Sequence, residues 1–296
     1  MDEKAKVAIL SIGSNTFLTL GKLVVGLLMG SVSVISEAIH SSLDLAAAII
    51  AFFAVRTASK PADDRHNYGH GKFENLSGIV EAILILVAGV MIINNAIPKL
   101  MGGGEIESLG LGAGVMGISV VVNLLVSRKL LKTAKKTESP ALAADGWHLL
   151  TDVYTSLGVF VGLGAIYLTG LTILDPIIAI AVALLIFKAA FNLISDSVLS
   201  ILDANLPKTE ENLIQGILQN YAEEYIEFHD LRTRKAGSDR YIDLHLVVPK
   251  YKDIDAVHTL CDRIEDDIRT QLPGVQILIH TEPCGGHCEE ITLEIK

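Results

Sequence analysis

The stretch SEAIHSSLDLAAAII, residues 36–50, decides how this chain is read. It is aliphatic enough to cross a bilayer, yet it carries Glu37, His40 and Asp44. Ionisable groups in hydrocarbon cost several kcal/mol each unless they have partners or a task. Residues i and i+4 of a helix share a face, so His40 and Asp44 point the same way. The same spacing recurs in WHLLTDVY, which holds His148 and Asp152. Two such pairs inside membrane-grade helices need a common explanation.

The composition supports the membrane reading. Half of the 296 residues are apolar and only 5% are aromatic, more aliphatic content than a soluble domain of this length requires. A helix needs roughly 20 apolar residues to span. Six stretches qualify: 7–29, 32–55, 76–98, 109–131, 142–168 and 173–200. MGS, MGGGEIES and LTGLT read as short turns, RTASKPADDRHNYGHGK as a polar connection and SRKLLKTAKKTES as a basic loop. The N-terminus shows no signal-peptide cleavage pattern, and its first apolar run reads as a span.

Lys and Arg concentrate in the 2–3 connection (Arg56, Lys60, Arg65, Lys72) and the 4–5 connection (Arg128, Lys129, Lys132, Lys135, Lys136). By the positive-inside rule both loops, the N-terminus and everything after residue 200 face the cytoplasm. Residues 1–204 are expected to form a six-helix transmembrane domain of a multi-pass α-helical protein of the cell (inner) membrane. Residues 205–296 are expected to form a cytosolic α+β ferredoxin-like domain in the order αββαβ: a helix over 208–222, strands in EFHDLRTRKAG and RYIDLHLVVP, a helix through DAVHTLCDRIEDDIRTQL and a strand in GVQILIHTEP. Two helices on a three-stranded sheet leave one face open, which favours dimerisation there. This region holds ten Lys/Arg against eighteen Asp/Glu, a balance that suits divalent cations and argues against nucleic acid.

In these spans Asp44 and Asp152 both fall about 15–18 Å deep, near the midplane. His40, Asp44, His148 and Asp152 then offer two imidazole nitrogens and two carboxylates, a closed set suited to a tetrahedral divalent ion, zinc first. Two carboxylates neutralise the ion in low dielectric, and protons are expected to replace it when it leaves, because ligands bind metal and protons competitively. Polar helix–helix contacts are the plainer alternative. Glu81, Asn15, Lys22 and Asn123 read as packing or snorkelling groups. No His-Glu-x-x-His motif or phosphate-binding loop is present, which argues against a metalloprotease or an ATP-driven pump and for a secondary active transporter rather than an enzyme. A passive metal channel and a membrane-bound metal sensor are the rival classes.

The motifs SEAIHSSLD, PADDRHNYGHGKFE, ADGWHLLTDVYTS and LDANLP, with the histidine-marked tail, resemble those of the cation diffusion facilitators over nearly the full length. The resemblance implies a homodimeric metal/proton antiporter in the lipid bilayer, exporting a divalent transition metal with protons as counter-ion. His40, Asp44, His148 and Asp152 match the transport site. Many bacterial members have Asp where His40 stands, and His there resembles zinc exporters. Cd2+, Co2+, Ni2+, Fe2+ and Mn2+ stay as alternatives. Asp63, His66 and His70 match a loop metal site. His229, His245, His258, His280 and Glu282 match a metal site of the cytosolic domain, with Asp more common where Glu282 stands. Metal there would bridge two domains and bias the transporter's equilibrium. Lys72 and Asp203 match a charge pair at the hinge.

EPCGGHCEE departs from the family pattern. Cys284, His287 and Cys288 are soft ligands in a glycine-loosened turn, and Cys261, Glu289 or a partner subunit could add a fourth. Three cysteines give no disulfide framework, and reduced unliganded thiols are the other reading of that turn.

Overall fold

The structure is a computed structural model that describes residues 2–29, 32–101, 112–171 and 173–285. It divides into two compact units, Met1–Val198 and Leu199–Lys296.

The first unit is built from six long helices: α1 Glu3–Met29, α2 Val32–Ala58, α3 Lys72–Leu100, α4 Gly112–Thr137, α5 Pro140–Thr169 and α6 Leu174–Ile201. By length and composition α1, α2, α3 and α6 each contain a stretch able to cross a membrane. Small residues let the helices approach. Ala47, Ala48 and Ala51 on α2 are fully buried, as are Ala141 and Ala144 on α5. Gly146 sits where a Cβ would meet the Leu131 side chain at 2.8 Å, so α5 can lie this close to α4 only with glycine there. The outside is apolar, with Phe17, Leu28, Met91, Leu184, Leu185 and Phe191 all exposed. That inversion suits helices whose solvent is lipid.

The basic stretch 127–139, expected as a loop, is largely helix: α4 runs to Thr137. Lys, Arg, Leu and Ala are good helix formers. Leu130 and Ala134 bury one face of the extension while Arg128, Lys129, Lys132, Lys135 and Lys136 stay exposed. The break falls at Glu138, whose φ of 50° is left-handed, and α5 restarts at once. Ser139 caps it by accepting the Leu142 amide at 3.3 Å, and Pro140 sits at the first helical position, where its missing N–H costs nothing.

The second unit follows the expected order: α7 Lys208–Gln219, β1 Glu227–Ala236, β2 Asp239–Val248, α8 Ile254–Gln271 and β3 Val275–Pro283. The sheet order is β1-β2-β3, antiparallel between β1 and β2 and parallel between β2 and β3. Alternate residues Ile242, Leu244, Leu246 and Val248 of β2 turn to one face and join Ile214, Leu218, Leu260, Ile264 and Ile268 of the helices in the core. His245 falls on the opposite face, where it is paired with His229 of β1 and His280 of β3 in register. Asp253 caps α8 by accepting the Ala256 amide at 2.7 Å.

Candidate metal centres

The four intramembrane residues meet crosswise between α2 and α5. His148 Nε2 lies 3.0 Å from Asp44 Oδ1, with both side chains buried. His40 Nε2 lies 3.9 Å from Asp152 Oδ1. Ligand atoms of His40, Asp44 and Asp152 fall within 4.8 Å of one another. His148 Nδ1 and Asp152 Oδ2 are buried without hydrogen-bond partners. A carboxylate oxygen with no donor is an acceptor in search of one, and a cation or proton answers that. The α1 side chains steady this region of α2: Lys22 Nζ donates to Ser41 Oγ at 2.8 Å and Thr19 Oγ1 to the Ser41 carbonyl at 2.9 Å, beside His40.

The connection between α2 and α3 folds around Asp63. Its Oδ1 accepts the amides of His66 at 2.7 Å and Arg65 at 2.9 Å. His66 Nδ1 is 3.3 Å from Oδ1, and His70 Nε2 is 3.4 Å from Oδ2. The His66 amide above all, then that of Arg65 and the neighbouring imidazoles, hold the Asp63 carboxyl below its ordinary value. The three ligand atoms lie within 4.8 Å of one another. His70 is buried and its Nδ1 has no partner, so the donor set fits a borderline ion such as zinc. Gly69, with φ of 78°, makes the turn that brings His70 back.

On the open face of the sheet, His229, His245 and Glu282 place ligand atoms within 4.8 Å. His245 Nδ1 is 2.9 Å from Glu282 Oε1, and His280 Nε2 is 3.7 Å from the same oxygen. The longer glutamate thus reaches both imidazoles. His229 stands between two carboxylates, Nε2 3.8 Å from Glu282 Oε2 and Nδ1 3.7 Å from Glu227 Oε1, which fits a metal-ligating face. His258 is not brought to this group: it stands exposed on α8, 3.6 Å from Asp262.

Of the sulfur ligands expected in the C-terminal turn, Cys284 is buried just beyond β3, its amide donating to the Val248 carbonyl at 3.0 Å. His287 and Cys288 lie outside the described residues. Cys261 is free and buried on α8; burial first, then Glu265 and Asp262, push its thiol up. Asp203, with φ of 58°, accepts from Arg234 Nη1 at 3.2 Å, and Arg234 lies over the Tyr241 ring. Lys72 opens α3.

Two groups were not legible beforehand. Glu74, fully buried, accepts from Lys4 Nζ at 2.9 Å and from Ser139 Oγ, tying the starts of α1, α3 and α5 together. Asp145 is fully buried one turn before His148. Its place in ADGWHLLTD, three residues from a ligand on one helix face, was the available signal.

The chain matches the cation efflux transmembrane domain over residues 8–202 and the cytoplasmic domain of cation efflux proteins over residues 206–284. It is 35% identical to the transporter sll1263 of Synechocystis sp., across 93% of this chain and 89% of that one. It is 29% identical to the cation-efflux pump FieF of Salmonella agona, across 95% and 93%. A solved structure of CzrB shares 38% identity, covers 27% of this chain and 99% of its own, and gives a TM-score of 0.26. With both domain matches in sequence order and full-length relatives on either side of 30% identity, the chain belongs to the cation efflux family of membrane transporters, the cation diffusion facilitators.

Proposed function

We propose that the chain is a proton-coupled antiporter that exports a divalent transition metal, zinc foremost, from the cytoplasm. The carrying observation is the crosswise contact of His148 with Asp44 at 3.0 Å and of His40 with Asp152 at 3.9 Å. Two nitrogens and two oxygens from facing helices suit tetrahedral zinc better than the oxygen-rich octahedral ions. The same groups bind protons when the ion is released, so metal and protons exchange at one place.

The protein acts as a homodimer in the cell membrane with both termini cytoplasmic. Residues 1–204 carry the ion and 205–296 sense it. Asp63, His66 and His70 bind metal at the membrane surface. His229, His245, His280 and Glu282 bind it on the open sheet face, where the family's dimerisation domain supports a second copy.

Purified protein in liposomes, with metal flux and internal pH recorded together, tests this reading. Zn2+ flux that rises with an opposing proton gradient is expected, and flux indifferent to pH would make the protein a passive channel. Asp152→Ala should abolish flux, a loss of at least about a hundredfold if the carboxylate is a direct ligand, while the protein stays monodisperse.

A further inference from the structure

The outward side of α6 carries a polar line that a lipid-facing helix has no use for. Lys188, Asn192 and Asp196 follow one another at steps of four residues, and all three are exposed. Residues spaced that way share one side of a helix, so they form a single stripe about 12 Å long. Leu184, Leu185 and Phe191 are exposed around it. The three polar side chains make no hydrogen bond or ion pair among the described residues. The other side of α6 is occupied: Ile186 and Ala190 pack with Ile85 of α3.

Depth makes the stripe costly. α6 runs from Leu174 to Ile201, and Lys188 stands at its middle. A bilayer core is about 30 Å thick, so this ammonium lies about 15 Å from either surface, too far for a lysine stem to snorkel out. Charged side chains at that depth face protein or water rather than acyl chains. The order of the groups narrows what covers them. Cation, amide and anion in a row sum to no net charge, which matches neither an anionic headgroup nor a metal ion. An amide both donates and accepts, so Asn192 at the centre can pair with its own copy. Lys188 and Asp196 stand one turn to either side, each within reach of that amide pair. The course of the chain points the same way. α6 ends at Ile201, and the match to the cytoplasmic domain of the family begins at residue 206. When two such domains pair, two α6 helices end within a few residues of them, in one membrane and running in one direction, so equal depths meet.

We infer that the stripe of Lys188, Asn192 and Asp196 is an intramembrane contact with a second copy of this chain, α6 against α6. This rests on the homodimer of the reading above. Polar side chains that hydrogen-bond across membrane helices hold those helices together, and the leucines and phenylalanine around the stripe supply the apolar packing.

Oxidative cross-linking of the full-length protein in its membrane tests the contact. With copper phenanthroline, Asn192→Cys should form a disulfide between copies at least about tenfold faster than Phe191→Cys, because the bond needs Cα atoms within about 7 Å. The unsubstituted chain, with its three native cysteines, sets the background. In lipid nanodiscs Asn192→Leu should lower the melting temperature, since a contact between helices is lost. Equal or absent cross-linking at 192 and 191 in protein of dimer mass would overturn the contact and leave the homodimer standing. A raised melting temperature for Asn192→Leu would also overturn it, because leucine is the better residue against lipid. So would a disulfide from position 192 to a different protein. A native chain of monomer mass by light scattering would remove the homodimer reading itself, and the α6 contact with it.

Discussion

At the scale of single residues, hydrogen-bond satisfaction separates groups that hold structure from groups that await a ligand. Asp63 is of the first kind as well as a proposed ligand. Its carboxyl holds two amides, and its value is lowered, so the turn's stabilisation is present above the ordinary aspartate range and is lost only as pH falls through the lower folded value. Amide resonances of Arg65 and His66 in metal-free protein should therefore keep their positions as pH falls through about 4 and move only below it. Cys261 shows the opposite shift. Burial pushes its thiol up, and the thiolate is the reacting species, so alkylation by iodoacetamide at pH 7.5 should be far slower than for an exposed thiol of ordinary value, about 8.5. Rapid labelling of the folded protein would contradict the buried placement.

At the scale of elements, helix spacing made much of the site legible. His40 with Asp44 and His148 with Asp152 could be placed on single faces from the number four alone. The crosswise pairing could not, because it depends on how α2 and α5 are rotated against each other. The αββαβ order and the apolar positions of α8 were equally readable from period and turn residues. The Glu74 clamp was not: Lys4 and Ser139 lie 70 and 65 residues away in sequence, and only packing brings them together. Because Glu74 is fully buried, Glu74→Ala removes from the helix starts the acceptor of both the Lys4 ammonium and the Ser139 N-cap hydroxyl. A loss of about 3 kcal/mol is expected, read as a lower melting temperature in detergent, with Glu74→Gln milder. Gly146 sets the α4–α5 spacing in the same way, through a contact no sequence pattern announces.

At the scale of the molecule, the two units solve different solvation problems. The first exposes Phe, Leu and Met along its flanks and buries Asp44, Glu74 and Asp145 among its helices; the second closes an aliphatic core and presents His229, His245 and His280 on a sheet face. The helical continuation of α4 matters at this scale. A basic loop would let its charges wander, but here Arg128, Lys129, Lys132, Lys135 and Lys136 are fixed to one rod whose other face, Leu130 and Ala134, is anchored in the bundle. Their spacing cannot adapt to the lipid; the lipid must adapt to them. Anionic headgroups near such an array gain about 1 kcal/mol per basic residue, within a Debye length of about 10 Å at 0.1 M salt. Flux in liposomes containing phosphatidylglycerol should therefore exceed flux in pure phosphatidylcholine at low ionic strength, and the advantage should fade in 1 M salt. The transporter would then be tuned by the composition of the leaflet it sits in, with α4 as the reader of surface potential.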